Sequence, residues 1–205
     1  MTRAQFRIVT FSYLSGSIPF GLILTKFFGG QDVRKIGSGN IGATNVLRTG
    51  NKYLAATTLI LDILKGYVPV VITQNFFPEQ VQLSALMAFL GHIFPLWLKF
   101  KGGKGVATYL GILFALSYAL SALFIFTWVV VSLIFKYSSL SSIFSSMTVL
   151  VITLFRENAV KAIDPNFVFA VDIKLILFIF FILIVFTHRK NISNLKNGTE
   201  QKIKL

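Results

Sequence analysis

Two glycine-rich stretches of the sequence combine bare backbone with basic side chains, GSGNIGATN at 37–45 and FKGGKG at 100–105. Consecutive glycines let backbone N–H groups approach an anion closely, and a neighbouring Lys or Arg supplies the countercharge. Phosphate binding is the chemistry that this combination favours. Tight turns between helices are the alternative for either stretch alone, and the presence of two such stretches makes that alternative less favourable.

Neither stretch fits a nucleotide-binding fingerprint. GSGNIG matches G-x-G-x-x-G, and Asp62 lies 20 residues beyond Gly42. That fingerprint requires a strand before it and a βαβ unit around it, whereas long apolar runs flank it here. FKGGKG lacks the Gly-x4-Gly-Lys-Ser/Thr spacing of a P-loop.

Ionisable residues also lie in or beside apolar runs. Asp62 and Lys65 are spaced i and i+3 on one helical face. Charges at that depth are costly unless paired, so function is the default hypothesis and a structural ion pair is the alternative. His92, in GHIFP, fits a hydrogen-bonded packing role. His188 ends the last apolar run, in FTHRKN, where a general base or a phosphate ligand would fit.

The composition places these residues in a membrane protein. Of 205 residues, 55% are hydrophobic and only 13% are charged, with 22 Phe, which is more apolar surface than one soluble core could bury. The chain has no Cys, two His and seven acidic residues, so it has no thiolate ligands and few other metal ligands. Neither a metal nor an organic cofactor is predicted.

The apolar runs predict membrane-spanning helices. They occupy 8–25, 53–78, 80–98, 105–135, 137–155 and 167–187. Pro19 predicts a kink in the first helix, and Pro69 and Pro95 predict kinks in the second and third. The run 105–135 decides the number of crossings, because as one helix it would extend roughly 46 Å, well beyond a hydrocarbon core of about 30 Å. A single crossing gives six helices, and a return near Ser117 gives seven.

The placement of the basic residues favours seven helices. Thirteen of the twenty Lys and Arg residues lie in three short zones. The zones are Lys26, Arg34, Lys35, Arg48 and Lys52; Lys99, Lys101 and Lys104; and Arg189, Lys190, Lys196, Lys202 and Lys204. Seven crossings put all three zones on one side, which the positive-inside rule makes cytoplasmic. We therefore predict an all-α, polytopic integral membrane protein, one domain over 1–205, with about seven transmembrane helices, an outside N-terminus and an active site at the cytoplasmic face.

Taken together, these residues resemble the bacterial acyl-phosphate:glycerol-3-phosphate acyltransferase family (PlsY type), membrane enzymes that make lysophosphatidic acid in phospholipid biosynthesis. The resemblance covers most of the chain. It rests on DILKG at 62–66 and on three motifs in order: DVRKIGSGNIGATNVLRTGNK at 32–52, GHIFPLWLKFKGGKGVAT at 91–108 and HRKNISNLKNGTE at 188–200. Three long motifs in this order are a specific signal, which a lone GxG would not be.

The resemblance implies a site drawn from all three motifs. The predicted catalytic residues are Ser38, Arg48, Lys104 and His188. The predicted substrate-binding residues are Gly37, Gly39, Asn40, Thr44, Asn45, Lys52, Gly102, Gly103, Gly105 and Asn191. Asn194 departs from the family, which commonly has a basic residue there, so no phosphate contact is assigned to it.

The resemblance also implies the reaction. An acyl group moves from acyl phosphate to the 1-hydroxyl of sn-glycerol 3-phosphate, with neither CoA nor acyl carrier protein required. Because the donor is already activated, the enzyme has mainly to hold two anions together and stabilise an oxyanion. The proton acceptor is either His188 or a substrate phosphate. Ser38 is either a nucleophile or, as we favour, a hydrogen-bond donor. The expected partners are the two substrates and the bacterial cytoplasmic membrane, with no nucleic acid.

Two other classes of protein fit part of this pattern. An organic-anion transporter would suit seven helices and the Asp62–Lys65 pair, but it would place its polar residues near the midplane. Most polar residues here lie in loops between the apolar runs. A structural membrane protein would leave the three motifs unexplained, so the sequence favours the enzyme.

Overall fold

The computed structural model describes residues 2–163 and 172–203, with side chains described at 2–156 and 172–203. All regular elements in those ranges are helical, without strands, which confirms the predicted all-α class. The α-helices are α1 (Arg3–Ser17), α2 (Phe20–Phe28), α3 (Ala43–Leu47), α4 (Lys52–Phe76), α5 (Val81–Ile93), α6 (Val106–Leu116), α7 (Tyr118–Phe135), α8 (Ser138–Ile163), α9 (Lys174–Thr187) and α10 (Arg189–Lys196). Two sequence-based expectations fall partly outside the described residues: the start of the run 167–187, and Lys204 in the third basic zone.

Several helices are long and apolar enough to cross a membrane. Among the described residues there are four, Lys52–Phe76, Pro78–Leu98, Tyr118–Phe135 and Ser138–Arg156. The count reaches six when the bent pairs α1 with α2 and α9 with α10 are each taken as one span. The apolar helix α6 has 11 residues, about half the length that a core of roughly 30 Å requires. The predicted count of about seven is reached only when α6 is included.

The interruptions predicted at Pro19 and Ser117 are present. Pro95 lies two residues beyond the end of α5, whereas Pro69 lies inside α4, which runs as one helix from Lys52 to Phe76. The first run breaks at Ile18 and Pro19, and α1 and α2 meet there at 40°. Pro19 has no N–H to donate and disfavours helical geometry at the residue before it, and Ile18 is accordingly extended, with φ −65° and ψ 118°. The run 105–135 breaks at Ser117, which is extended at φ −166° and ψ 115°.

The described chain forms two compact units, Met1–Tyr118 and Ala119–Leu205. In the first unit α1 packs against α5, and α4 packs against α6. Glycines allow these close approaches, because a Cβ on Gly16 would meet the Ala88 carbonyl and one on Gly111 would meet the Ile63 carbonyl. In the second unit α8 packs against α9. A single domain over 1–205 stays a prediction.

Within the first unit, successive crossings place the two glycine-rich loops on one face. The helix α4 is followed, one residue after it ends, by the next apolar span, Pro78–Leu98. Two consecutive crossings return the chain to the side on which it started. Counted as two crossings, these spans place the loop before α4 and the loop after Leu98 on the same side of the membrane.

Candidate active site

The first loop, residues 29–51, is supported from below by a small apolar cluster. Its members come from α2, α4 and the loop itself: Leu22, Val33, Ile41, Val46 and Ala55. Val33 and Val46 are fully buried, so the loop is packed on its inner side rather than lying loosely over the helices. The polar residues of the motif are positioned by this packing.

Asn45 is the centre of the first loop. It is 2% exposed, and its amide nitrogen donates to the carbonyls of Val33 at 2.9 Å, Ile36 at 2.9 Å and Asn40 at 2.8 Å. One side chain thus gathers three separate points of the backbone into one turn. Sequence reasoning assigned Asn45 to substrate binding, which stays a prediction; the structure shows that it organises the loop.

The other end of the Asn45 amide faces the two predicted catalytic residues of this loop. Its Oδ1 accepts from the Ser38 hydroxyl at 3.2 Å, the Ser38 N–H at 3.0 Å and the Arg48 guanidinium at 3.2 Å. Ser38 is exposed and Arg48 is half-buried. A hydroxyl and a cation, both good donors to an anion, therefore share one anchoring oxygen.

Glycine is required at two positions of this turn. Gly37 and Gly39 have φ values of 52° and 72°, a region that side chains disfavour. A Cβ on Gly37 would also lie 2.6 Å from the Asn45 Oδ1 and 2.7 Å from the Arg48 Cδ. These glycines shape the turn around Asn45.

The remaining predicted residues of the first motif lie at the edges of the loop. Asn40 accepts a hydrogen bond from the Gly42 N–H at 2.9 Å, just before α3, which contains Thr44. Lys52 is exposed at the start of α4. At the other edge the Arg34 guanidinium forms an ion pair with Asp32 at 2.6 Å, and this hydrogen-bonded contact holds the pKa of the Asp32 carboxyl well below its usual range.

The second loop, residues 99–105, uses its glycines differently. The Gly102 N–H donates to the Ile93 carbonyl and the Gly103 N–H to the His92 carbonyl, each at 3.1 Å. These two amides thus satisfy the C-terminal end of α5. Direct anion contacts from Gly102 and Gly103 stay predictions, and the structure shows their N–H groups bonded within the chain.

The His92 side chain packs directly against this second loop. It is buried, and its Nδ1 lies 3.0 Å from the Thr108 hydroxyl, which confirms the hydrogen-bonded packing role expected from the sequence. A Cβ on Gly103 would collide with the His92 Nε2, and a Cβ on Gly105 with the Phe89 ring. Gly105 also has a left-handed φ of 84° where α6 begins. Lys104, between them, is half-buried.

The third motif lies in the second unit, and His188 is its most buried polar side chain, at 1% exposed. The His188 Nδ1 lies 2.8 Å from the Ile184 carbonyl. A carbonyl can only accept, so Nδ1 carries the proton and Nε2 is the nitrogen that can accept another. In the neutral ring Nε2 is therefore the nitrogen that a general base at this position would use.

Asn191 is held by a carboxylate in the same unit. Its amide nitrogen donates to the Glu200 Oε1 at 2.7 Å, and that oxygen also accepts from the Ser139 hydroxyl at 2.8 Å. Asn194, the position that departs from the family pattern, donates to the Glu200 Oε2 at 3.3 Å. Glu200 was part of the motif quoted from the sequence but had no assigned role; an acidic residue amid Lys and Asn was the available signal.

Asp62 and Lys65 form an ion pair in α4, as the structural alternative in the sequence analysis required. The Lys65 Nζ lies 2.7 Å from the Asp62 Oδ1, with both side chains 3% exposed. Lys65 also donates to the Ile18 carbonyl at 2.7 Å. Elsewhere in the described residues, no cluster of three or more His or acidic side chains could hold a metal ion.

These features define a class of protein. It is a helical membrane protein whose first unit carries two loops that combine glycines with basic residues. Such an arrangement suits an enzyme acting on small anions at a membrane surface.

Comparisons with known proteins identify the family. The family model for glycerol-3-phosphate acyltransferase matches residues 6–198. A glycerol-3-phosphate acyltransferase of Pelagibacter ubique is 52% identical over 194 residues, covering 95% of both chains. One from Mesorhizobium japonicum is 49% identical over 203 residues, covering 99% of this chain and 98% of the relative.

Solved structures agree with these relatives. PlsY (YgiH), an integral membrane glycerol 3-phosphate acyltransferase, matches in its glycerol 3-phosphate form with a TM-score of 0.87 at 33% identity, covering 98% of this chain and 96% of that one. Its lysophosphatidic acid form matches with a TM-score of 0.84 at 32% identity, covering 97% and 95%. The chain belongs to the PlsY-type glycerol-3-phosphate acyltransferase family. It is a membrane-embedded acyltransferase, and the transporter and scaffold alternatives are set aside.

Proposed function

We propose that this enzyme transfers a fatty acyl group from acyl phosphate to the 1-hydroxyl of sn-glycerol 3-phosphate, giving lysophosphatidic acid and inorganic phosphate for phospholipid biosynthesis. The observation that carries the proposal is the shared anchoring of Ser38 and Arg48 on the Asn45 Oδ1. Both substrates are phosphate monoanions or dianions, and a preorganised hydroxyl and guanidinium suit such groups. The solved forms of PlsY, with glycerol 3-phosphate and with lysophosphatidic acid, support the choice of acceptor and product.

The proposed reaction is a direct displacement at the acyl carbon. The primary hydroxyl oxygen of glycerol 3-phosphate attacks that carbon, the bond from the carbon to the bridging phosphate oxygen breaks, and inorganic phosphate leaves with the bonding electrons. The hydroxyl proton passes to a substrate phosphate oxygen, whose second pKa is near 6, or to His188. Proton transfer to the substrate phosphate needs no residue of the chain. Proton transfer to His188 is supported by the tautomer that the Ile184 carbonyl imposes.

Ser38 is proposed as a hydrogen-bond donor rather than a nucleophile. Its hydroxyl is bonded to an amide oxygen of Asn45, which accepts a hydrogen bond but is too weak a base to remove the hydroxyl proton. A serine nucleophile normally has an adjacent base. We therefore propose that the Ser38 hydroxyl, which has one hydrogen, rotates away from the Asn45 Oδ1 when substrate binds and donates to a phosphate oxygen or to the developing carbonyl oxyanion.

Lys104 is proposed as the phosphate contact of the second loop. Because the N–H groups of Gly102 and Gly103 donate to the carbonyls that end α5, a lysine is better suited than these amides to an incoming anion. Among the three lysines of the loop, Lys104 is chosen because it lies within the GGKG run on which the family resemblance rests. The glycines contribute by letting the loop lie flat on His92 and Phe89. The remaining predicted residues, including Asn191, are proposed on the family resemblance of their motifs.

The proposed location is the bacterial cytoplasmic membrane, with the two loops of the first unit facing the cytoplasm. The excess of Lys and Arg in those loops supports this orientation. Single cysteines replacing Asn51 or Lys101 in this Cys-free chain should resist an impermeant thiol reagent in intact cells and react after lysis. Labelling of both cysteines in intact cells would show that the two loops face the outside of the cell and would contradict the proposed orientation.

The proposed reaction is tested on purified wild-type enzyme in detergent. With acyl phosphate and glycerol 3-phosphate present, lysophosphatidic acid and inorganic phosphate should accumulate in equal amounts. Omission of glycerol 3-phosphate should abolish both products. Phosphate release without ester formation would indicate a hydrolase and would contradict the proposal.

A further inference from the structure

The buried Lys65 is bonded to a break between helices rather than only to its acidic neighbour. Its Nζ donates to the Ile18 carbonyl at 2.7 Å and lies 2.7 Å from the Asp62 Oδ1. Ile18 follows the last residue of α1, and its carbonyl lies just before Pro19, where the regular helical hydrogen-bond series is interrupted. A charged group at this depth is costly unless it is paired, and here the charge is used to fix the position of an interrupted backbone.

The helix after the break, α2, supports the first loop. The helix α2 begins at Phe20, and one residue later Gly21 packs so closely on the loop that a Cβ there would collide with the Ile41 carbonyl. The next residue, Leu22, belongs to the same apolar cluster as Ile41 and Val46. The direction in which α2 leaves the break therefore sets the position of the Asn45-centred turn.

The helix before the break, α1, is hydrogen-bonded to the segment that leads into the second loop. The Trp97 indole N–H lies 2.9 Å from both the carbonyl and the hydroxyl oxygen of Ser17, the last residue of α1. The Tyr13 hydroxyl donates to the Phe94 carbonyl at 2.7 Å. Trp97 lies in the short turn Leu96–Leu98, immediately before residues 99–105.

We propose that the α1–α2 break is the junction that sets the first and second loops relative to each other, and that Lys65 is the positioning residue that holds it. Lys65 contacts no substrate in this account. The proposal rests on the proposed function only in that both loops act on the same reaction. Its expected consequence is that loss of Lys65 misplaces two intact loops rather than damaging either one.

A distance measurement tests the junction without reference to activity. Because the sequence has no Cys, spin labels at Lys35→Cys and Lys101→Cys, both exposed, report the separation of the two loops. Asp62→Asn combined with Lys65→Met removes both charges together and should broaden the distance distribution. Asp62→Asn alone lowers stability because Lys65 loses its carboxylate partner, but the Lys65 amine, charged or neutral, can still donate to the Ile18 carbonyl, so the distance distribution should stay narrow.

Matched variants separate positioning from general loss of packing. Thr73→Val removes a buried hydroxyl on the same helix that bonds only to the Pro69 carbonyl in its own turn, and it should leave the distribution unchanged. Trp97→Phe removes the other attachment and should broaden it, so the proposal stays testable even if the double variant fails to fold. An unchanged distribution in Trp97→Phe, or in a folded double variant, overturns the proposal.

Kinetics supply a second readout. Misplacement of about 1 Å can cost on the order of 100-fold in rate, so the double variant should lose about 10- to 100-fold in kcat while the KM for glycerol 3-phosphate changes little. A raised KM with unchanged kcat would place the damage within one loop and contradict the proposal. If wild type fails to use acyl phosphate, the proposed function fails, and the distances still decide the role of Lys65.

Discussion

The two loops of the first unit are both rich in glycine and basic residues, yet their glycines have different tasks. In the first loop, Gly37 and Gly39 adopt left-handed φ values so that the backbone can turn around the Asn45 amide. In the second, Gly102 and Gly103 donate to the carbonyls of Ile93 and His92. The first loop therefore presents side chains anchored on an amide, and the second presents lysines on a backbone that is packed against α5.

This difference shows that a glycine-rich motif beside a cation need not be a backbone cradle. Glycine can be required because a turn needs positive φ, or because a neighbour leaves no room for a Cβ. The two requirements predict different losses of stability and activity when a glycine is replaced by alanine. If the basic side chains of both loops bind anions, their replacement by alanine should lower activity to a similar extent.

The largest effect is expected where the second loop meets His92. In Gly103→Ala the new methyl group would collide with the His92 ring, which is buried and bonded to Thr108. Overpacking of this kind costs roughly 1–3 kcal/mol of stability, and the shift of the loop should lower kcat/KM by at least about 100-fold. The measurements are thermal unfolding in detergent and initial rates.

Gly30→Ala is the control for that substitution. Gly30 has a φ of 61° but nothing within 4 Å of the position its Cβ would take. It should cost about 1 kcal/mol for the backbone conformation alone and leave activity nearly intact. Equal losses in the two variants would show that packing on His92 is not what the second loop requires.

Removal of either cation should have the next largest effect. Arg48→Ala and Lys104→Ala each delete a charge-assisted contact to phosphate, worth roughly 1.5–3 kcal/mol, or about 10- to 150-fold in the affected kinetic constant. Lys101→Ala, an exposed cation in the second loop, is the matched control and should stay close to wild type. Wild-type kinetics in both test variants would remove the anion-binding role from both loops.

Loss of the Ser38 hydroxyl should have a smaller effect. As one neutral donor it contributes about 0.5–1.5 kcal/mol, so Ser38→Ala should reduce turnover by up to about tenfold. Wild-type enzyme quenched with acyl phosphate alone should show no covalent adduct by intact-protein mass spectrometry. A stoichiometric acyl group on Ser38 would instead make it the nucleophile.

The smallest effect is expected at the edge of the first loop. The Arg34 contact lowers the pKa of Asp32 in the folded state, so its stabilisation is fully present above an unfolded pKa near 3.9 and is lost only as the pH falls below it. Arg34 is 46% exposed, which limits the contribution to under about 1 kcal/mol. Asp32→Asn should therefore lower stability by a small, constant amount between pH 5 and 8, and a difference that changes sign in that window would contradict the assignment.

The features that the sequence could predict are those that depend on local chemistry. Apolar runs indicate helices whatever their neighbours are, and Pro19 interrupts a helix through its own ring. The break near Ser117 followed from the length of the run 105–135 together with the placement of the basic residues. The family motifs named the residues of the candidate site because each motif is contiguous in sequence.

The features that the sequence could not predict join residues that are distant in the chain. The bond from Lys65 to the Ile18 carbonyl spans 47 positions, and it depends on how α1 and α4 pack. The three carbonyls bound by Asn45 belong to backbone with no side-chain signature. The N–H groups of Gly102 and Gly103 were expected to contact an anion. Their hydrogen bonds to the carbonyls at the end of α5 could not be read from the sequence, because those bonds depend on how the loop folds back on the helix.

The central claim, that loops of this size and charge serve a small phosphate donor, is tested most directly by a side-by-side donor assay. Purified enzyme receives glycerol 3-phosphate with acyl phosphate, acyl-CoA or acyl carrier protein carrying the same acyl chain, and ester formation is measured. We expect turnover from acyl phosphate alone, with inorganic phosphate inhibiting as a product that competes for Arg48 and Lys104. Robust transfer from acyl-CoA, with none from acyl phosphate, would contradict the account.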